Sequence, residues 1–468
     1  MKLTKLSLIA AMLIGSSAFA IENTKVSGDA KLYYGTFHEA SSTNNMFEKE
    51  SSYGDAALHL GLTTDLTEGV SAGVGMTAVS TMGLENNLVS NTWSNSHGVS
   101  VNNGSSFVGT VAGTASENIQ LDDAFWIDEA WIAGTAFDTT VKVGRQSLDT
   151  PLAFTETWGV DTNTFEAAVL INQSIPDTTV VATYIGKSNG SADDQAEGLI
   201  FGVNPNGGAQ VIGGTLNAIS RAQAGYVAQD GKFNTFGSDG VYAAGVINNS
   251  FKPLTVQAWY YDMQSLAKAY WLQADIKCSL VEGLLIGGQY ANTEAESANS
   301  LYGYLGLPTP AVGTKVNDTS MYAVMLGFEM KDVFTVKGAY SSVSDDGTLG
   351  MANTATGSAA TLGGQSKMYT EMWWNYGAVS AVGADSYSLT VEATVGPEID
   401  LFAGYYFSDI DPKGNNNSED VTEIALTASK SFGPLDTSLA LIMDDYSYEG
   451  VSSDDELYTV QVYLTYNF

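Results

Sequence analysis

The sequence predicts an all-β fold: a transmembrane antiparallel β-barrel of about 18 strands, with short periplasmic turns and long extracellular loops. Three observations predict it. Residues 1–20 have the parts of an export signal in order. Beyond them no run of 18 or more apolar residues occurs, so no helix is apolar enough to span a bilayer. Instead, apolar and polar residues alternate with a period of two in segment after segment, each bounded by turn residues.

Composition narrows the field. The chain has 468 residues, 52 acidic against 19 basic, for a formal charge of -33; only 15% of residues are charged and 44% are hydrophobic. The single cysteine, Cys278, excludes a disulfide scaffold, and no Cys/His cluster exists for structural zinc. So acidic a surface repels a phosphate backbone, which argues against nucleic acid as a partner. With 24 Tyr, 18 Phe and 8 Trp, the chain has too many large apolar side chains for disorder.

The elements follow in order. Lys2 and Lys5 make the basic start of the signal, residues 6–14 its apolar middle, and Ala18-Phe19-Ala20 its cleavage site. Residues 21–468 are then the barrel. In the first strand Val26, Ala30, Leu32 and Tyr34 alternate with Asp29, Lys31 and Tyr33. Phe165, Ala167, Val169 and Ile171 alternate with Glu166, Ala168 and Leu170. Tyr270, Leu272, Ala274 and Ile276 alternate with Gln273, Asp275 and Lys277, and the pattern returns in 387–395 and 399–407. The last strand is the clearest, with Tyr458, Val460, Val462, Leu464, Tyr466 and Phe468 on one face. A soluble sandwich also alternates. Aromatics at segment ends (Trp259 to Tyr261, Tyr405 to Phe407) favour the girdle of a membrane barrel instead.

Eight turn-like connections (65–69, 136–140, 173–177, 248–253, 279–283, 331–332, 396–400 and 431–436) carry Gly, Pro, Asn and Asp. Nine others, mostly longer, lie near 38–54, 80–122, 147–162, 188–239, 263–267, 291–319, 342–385, 409–420 and 444–456. Together they imply eighteen strands, with 368–376 (MYTEMWWNY) read as ordered structure inside a loop. A barrel of that size leaves an aqueous channel.

The strand phases place Asp29, Glu166, Asp275, Glu329, Glu392 and Glu423 toward the lumen, along with Lys31, Lys142, Lys277, Lys337 and His59. The mixed wall has an acidic excess, and the acidic loops would concentrate cations, so the expected channel prefers cations. The same loop carboxylates have a plainer use, in solvation or in bridging lipopolysaccharide through divalent ions. Calcium is a candidate at the paired acids Asp122-Asp123, Asp193-Asp194, Asp345-Asp346 and Asp454-Asp455, none of which has EF-hand spacing.

Two connections are candidates for the constriction: 147–162, with Asp149, Glu156, Trp158 and Asp161, and the Gly-rich 188–239, with Arg221. Only two arginines occur, Arg145 and Arg221. Strict alternation turns Arg145 outward with Val141 and Val143, and a bulge at Gly144 would instead bring it into the pore.

The segments IDEAWIAG (127–134), VGRQSLDTP (143–151) and NTFEAAV (163–169) resemble the OprD-type porins, and more closely the major outer-membrane porin family of epsilonproteobacteria. The terminal Tyr466-Asn467-Phe468 resembles the aromatic signal read by the barrel-assembly machinery. The resemblance implies an 18-stranded barrel, homotrimers and passage of small hydrophilic solutes. It carries over no arginine ladder for carboxylates, since two arginines cannot form one. Three rivals remain: a substrate-selective channel, a surface adhesin or antigen on a barrel, and a barrel enzyme built on His38, His59 or His97, for which no G-x-S-x-G motif is present.

Overall fold

A computed structural model of the chain describes residues 22–39, 44–84, 88–89, 123–190, 231, 233–304, 315–356, 364–396, 398–413, 418–448 and 455–468. The export signal of 1–20 lies outside them, as do Arg221, most of the 188–239 connection, and Asp122, Asp193, Asp194 and Asp454 of the acidic pairs.

Eighteen strands form one closed antiparallel sheet. They are β1 (Glu22–Glu39), β2 (Ser52–Thr67), β3 (Val70–Ser80), β4 (Ala124–Ala136), β5 (Thr139–Gln146) and β6 (Phe165–Asn172). Next come β7 (Thr178–Ser188), β8 (Val241–Asn248), β9 (Leu254–Met263), β10 (Ala267–Lys277), β11 (Leu284–Ala295) and β12 (Thr319–Met330). The ring finishes with β13 (Phe334–Val343), β14 (Ala384–Val395), β15 (Ile399–Ile410), β16 (Glu419–Phe432), β17 (Leu435–Tyr448) and β18 (Asp455–Asn467). A two-residue segment, Asn234–Thr235, adds to the end of β7 outside the ring. Among the described residues, two short α-helices, α1 (Ala298–Tyr304) and α2 (Tyr376–Ser380), lie in the long connections. The run 368–376 is ordered loop leading into α2, as expected.

Each strand pairs with its chain neighbours, and β18 returns to β1, with Asp29 opposite Asn467 and Glu39 opposite Leu457. Gly28 and Phe468 exchange backbone bonds of 2.9 and 3.0 Å to finish the seam. Closure satisfies every strand edge, which lipid demands because it supplies no water to unpaired backbone groups. The short turns, the start of β1 and the end of β18 gather at one end of the barrel. At the β4–β5 turn, Phe137 and Asp138 both take left-handed backbone (φ 48 and 59), the two-residue hairpin geometry that matches strand twist.

The outer face is the apolar band that the alternation requires. Leu32, Leu58, Ile132, Val143, Leu272, Leu326, Leu389 and Leu441 all stand exposed on it. Toward the loop end, tyrosines of neighbouring strands meet in pairs: Tyr184 and Tyr242 at 4.9 Å, Tyr260 and Tyr270 at 5.2 Å, Tyr340 and Tyr387 at 4.9 Å. This is an interfacial girdle. Trp259, Tyr261 and Tyr406, which the sequence grouped with it, point inward and are buried.

Two further assignments need correction. Phe165, Ala167 and Val169 are buried in the interior cluster with Leu148, Leu152 and Tyr261, so β6 has the phase opposite to the one expected. Glu166 therefore faces outward. Arg145 stands directly opposite it in the β5–β6 register and faces outward too, beside the exposed Val141 and Val143. The irregularity lies one strand away from Gly144. Between Gly75 and Thr77 the partner strand β4 advances from Glu129 to Trp126, one residue more than β3 does. That bulge at Ile127-Asp128 turns both Asp128 and Glu129 toward the lumen, which a regular strand forbids.

Candidate channel and its inserted loops

Among the described residues, two connections enter the barrel. The first, 147–164, leaves β5 at the buried Gln146, whose amide donates to the carbonyl of Ala167 at 3.1 Å. It doubles back on itself, with Asp149 bridged to Phe154 and Thr155 N donating to Leu148 O at 2.8 Å. Leu152 N then reaches the hydroxyl of Tyr261 on the wall at 3.3 Å. The loop's own apolar residues (Leu148, Leu152, Ala153) pack on inward residues of β6 to β10. This explains the apolar inward face of β6.

The second connection, 344–383, descends further. Gln289 of β11 donates to the carbonyl of Lys367 at 2.8 Å, and Tyr369 OH donates to Asp275 of β10 at 2.5 Å. Thr370 meets Ser341 of β13, and the amides of 373–375 converge on Glu423 of β16. Burial, reinforced by the neighbouring Asp275 carboxylate, pushes the Tyr369 phenol up, so it stays a donor.

The loops interlock. Asn353 places its amide between them: Nδ2 donates to Phe154 O at 2.8 Å and to Glu156 Oε1 at 2.9 Å, while Oδ1 accepts from Phe154 N at 3.1 Å. Glu156 also accepts from Trp158 Nε1 at 2.8 Å and from Thr356 Oγ1. Trp158 meets Trp374 edge-on at 6.3 Å. Glu371 accepts from Ser366 N at 3.0 Å and from Ser366 Oγ. Desolvation raises its carboxyl well above the usual carboxylate range against those bonds, and the charge of Glu156 adds to the rise.

Three pairs of wall residues meet across strands. Asp29 meets His59 at 2.8 Å, Lys277 meets Glu329 at 3.5 Å, and Lys337 meets Glu392 at 3.5 Å. Lys142 sits 4.2 Å over the ring of Trp131. Asp149 is largely exposed and pairs across the loops with Lys367 at 3.0 Å. Glu156 and Asp161 lie at 1% and 0% exposure, so they hold the loop together and present no surface to a solute. Lys31 shares the inward face of β1 with Asp29.

One cross-strand row crosses the turn-end wall: Glu329, Thr335, Glu392, Phe402 and Thr427 stand opposite one another in succession. With Trp373 and Asp400 these residues line a cavity of ≈ 530 Å³. Four carboxylates line it: Glu329, Asp332, Glu392 and Asp400.

The structure thus gathers Glu329, Glu392 and Lys337 at this mouth, and Asp275 and Lys277 near it. It removes Arg145 and Glu166 to the outer surface, where Arg145 Nε meets Glu166 Oε1 at 3.0 Å and its Nη1 donates to Ile127 O at 2.7 Å. Lys187 joins Glu166 at 3.5 Å. Sequence reasoning missed Asn353, Tyr369 and Trp373 to Asn375 as lumen residues. Their one signal was an aromatic, polar run too apolar for an exposed loop. Among the described residues no group of three or more His, Cys, Asp or Glu gathers as a metal site, and of the four paired acids only Asp345-Asp346 is described in full.

No family model and no curated protein matches the chain. Solved structures do resemble it. Acinetobacter baumannii OccAB1 aligns with TM-score 0.63 and 13% identity over 96% of this chain and 97% of that one. Pseudomonas aeruginosa OccK8 (OprE) aligns with TM-score 0.60 and 13% identity over 96% and 98%, and Pseudomonas aeruginosa OpdO with 0.58 and 14% over 96% and 98%. The likeness is one of fold.

Proposed function

We propose that the chain is an outer-membrane porin: a water-filled channel for small hydrophilic solutes, preferring cations. One observation carries the reading. A closed 18-stranded barrel has its interior narrowed by two of its own loops and keeps an acidic row, Glu329 and Glu392 with Asp400, at the turn-end mouth. The backbone likeness to OccAB1 and OccK8 (OprE) supports the OprD-type resemblance of 127–169. Catalysis plays no part in this reading. Low-dielectric walls focus the field of the mouth carboxylates, raising local cation concentration and repelling anions. Arg145 and Glu166 do not contribute, because they face away from the lumen.

The wider setting belongs to the same proposal: export by the 1–20 signal, assembly through the exposed Phe468, packing as homotrimers in lipopolysaccharide, and calcium bridging at acidic loops. The test is the reversal potential of purified protein in a planar bilayer under a KCl gradient. A potential favouring K⁺ that shrinks at high salt is expected, since screening weakens the field. Anion preference would overturn the cation reading, and a silent barrel would favour a surface-antigen role. Glu329→Gln with Glu392→Gln should reduce the preference, while Lys337→Ala should increase it.

A further inference from the structure

We infer that Glu423 is a positioning residue: it latches residues 373–375 of the second inserted loop to the barrel wall, and so sets the aperture that Trp373 narrows. The inference rests on the channel reading above. Glu423 faces the lumen but is 0% exposed, so no solute meets it. Its carboxylate is occupied by the loop. Trp373 N donates to Oε1 at 2.7 Å, Trp374 N to both oxygens at 3.1 Å, and Asn375 N to Oε2 at 2.7 Å. Three successive backbone amides aimed at one anion make a nest, which binds a carboxylate far better than a neutral group.

The side chain of Asn375 completes the grip. Its Nδ2 donates to Glu423 at 3.0 Å and to Asp444 at 2.8 Å, and its Oδ1 accepts from Tyr446 OH at 2.7 Å. Asp444 stands directly opposite Glu423 in the β16–β17 register. Three wall side chains on two strands therefore hold one loop residue. Trp373 consequently points the other way, its ring 5.5 Å from Phe402, 39% exposed and lining the acidic cavity. Glutamine at 423 would keep the shape but turn an NH2 group toward the amides, while aspartate would keep the anion.

The test compares full-length Glu423→Gln, Glu423→Asp and Asn375→Ala in planar bilayers, after heat-modifiable gel mobility establishes a folded barrel. Asn375→Ala removes the side-chain grip on Glu423, Asp444 and Tyr446 from the loop side, keeps the three backbone donors, and leaves the wall strands untouched. Glu423→Gln and Asn375→Ala should raise single-channel conductance about twofold, with more open-channel noise, because the lining residue is no longer fixed. Glu423→Asp should stay nearer the wild type. Folded variants with wild-type conductance and noise would overturn the latch. A second readout needs no current: Trp373→Cys, made with Cys278→Ser, should react faster with a polar maleimide when Asn375→Ala is added. A wild-type barrel that passes no current would sink the channel reading, and the labelling rate would still decide the latch.

Discussion

Replacing Arg145 with Ala should destabilise the barrel and leave its ion selectivity unchanged. Besides a cation–π contact with the ring of Phe233 at 4.1 Å, worth about 0.5–1 kcal/mol, the perturbation removes two polar contacts. One is the 2.7 Å bond from Nη1 to the carbonyl of Ile127, at the bulge in β4. A hydrogen bond from a charged donor is worth about 1.5–3 kcal/mol. The other is the 3.0 Å pair with Glu166, whose side chains are each about a third exposed (32% and 31%). Screening limits such a pair to about 0.2–1 kcal/mol. Glu166 retains Lys187 at 3.5 Å, so it is not left as a lone charge. The sum is a loss of about 2–5 kcal/mol. Urea unfolding in lipid vesicles measures it, and Arg145→Lys should recover little, because an ammonium cannot reach both partners in the planar way a guanidinium does. The reversal potential should match the wild type. A selectivity shift in a stable variant would refute the outward placement and return Arg145 to the pore.

Three other expectations follow from the same wall. Gly144 has φ +127, and a Cβ there would lie 2.1 Å from the carbonyl oxygen of Ala130, so Gly144→Ala should cost more than about 1 kcal/mol in urea unfolding. Leu326→Arg, on the exposed apolar band below Tyr322, should cost about 2–4 kcal/mol in a bilayer and far less in a water-filled position. Glu371 has a folded-state value above its unfolded one, so its contribution to loop stability is full below the ordinary glutamate range. That contribution is lost as pH rises through the raised value. Open-channel noise should therefore grow with pH in the wild type, and Glu371→Gln should flatten the curve; an equal slope in both would remove Glu371 as the cause.

Most of the barrel was legible because lipid on one side and a polar interior on the other impose a two-residue period, and tight turns need Gly, Asn or Asp. The period says that faces alternate, but not which face is which. In the segment Phe165 to Ile171 both faces are largely apolar, because a loop carrying Leu148 and Leu152 fills the barrel there. The phase of β6 was therefore misread, and Glu166 with it. The bulge at Ile127-Asp128 was foreshadowed by adjacent acids that a flat strand cannot both turn inward. Its place was not, since one extra residue leaves no compositional mark. Glu423 was rightly placed inside, but its partners are backbone amides fifty residues away, which no spacing rule reveals. Asn353 bridging to Phe154 is the same kind of long-range contact.

The seam between β1 and β18 also has a consequence in time. It joins the first and last segments of the described chain, more than four hundred residues apart, through Asp29 and Asn467. Every other neighbouring pair in the ring joins strands adjacent in sequence, but this one must bring the first strand to the last. Until then two strand edges stay open, each a template for pairing with the wrong chain. A chain lacking β18 would thus be a sticky open sheet, with the outer edges of β1 and β17 unpaired.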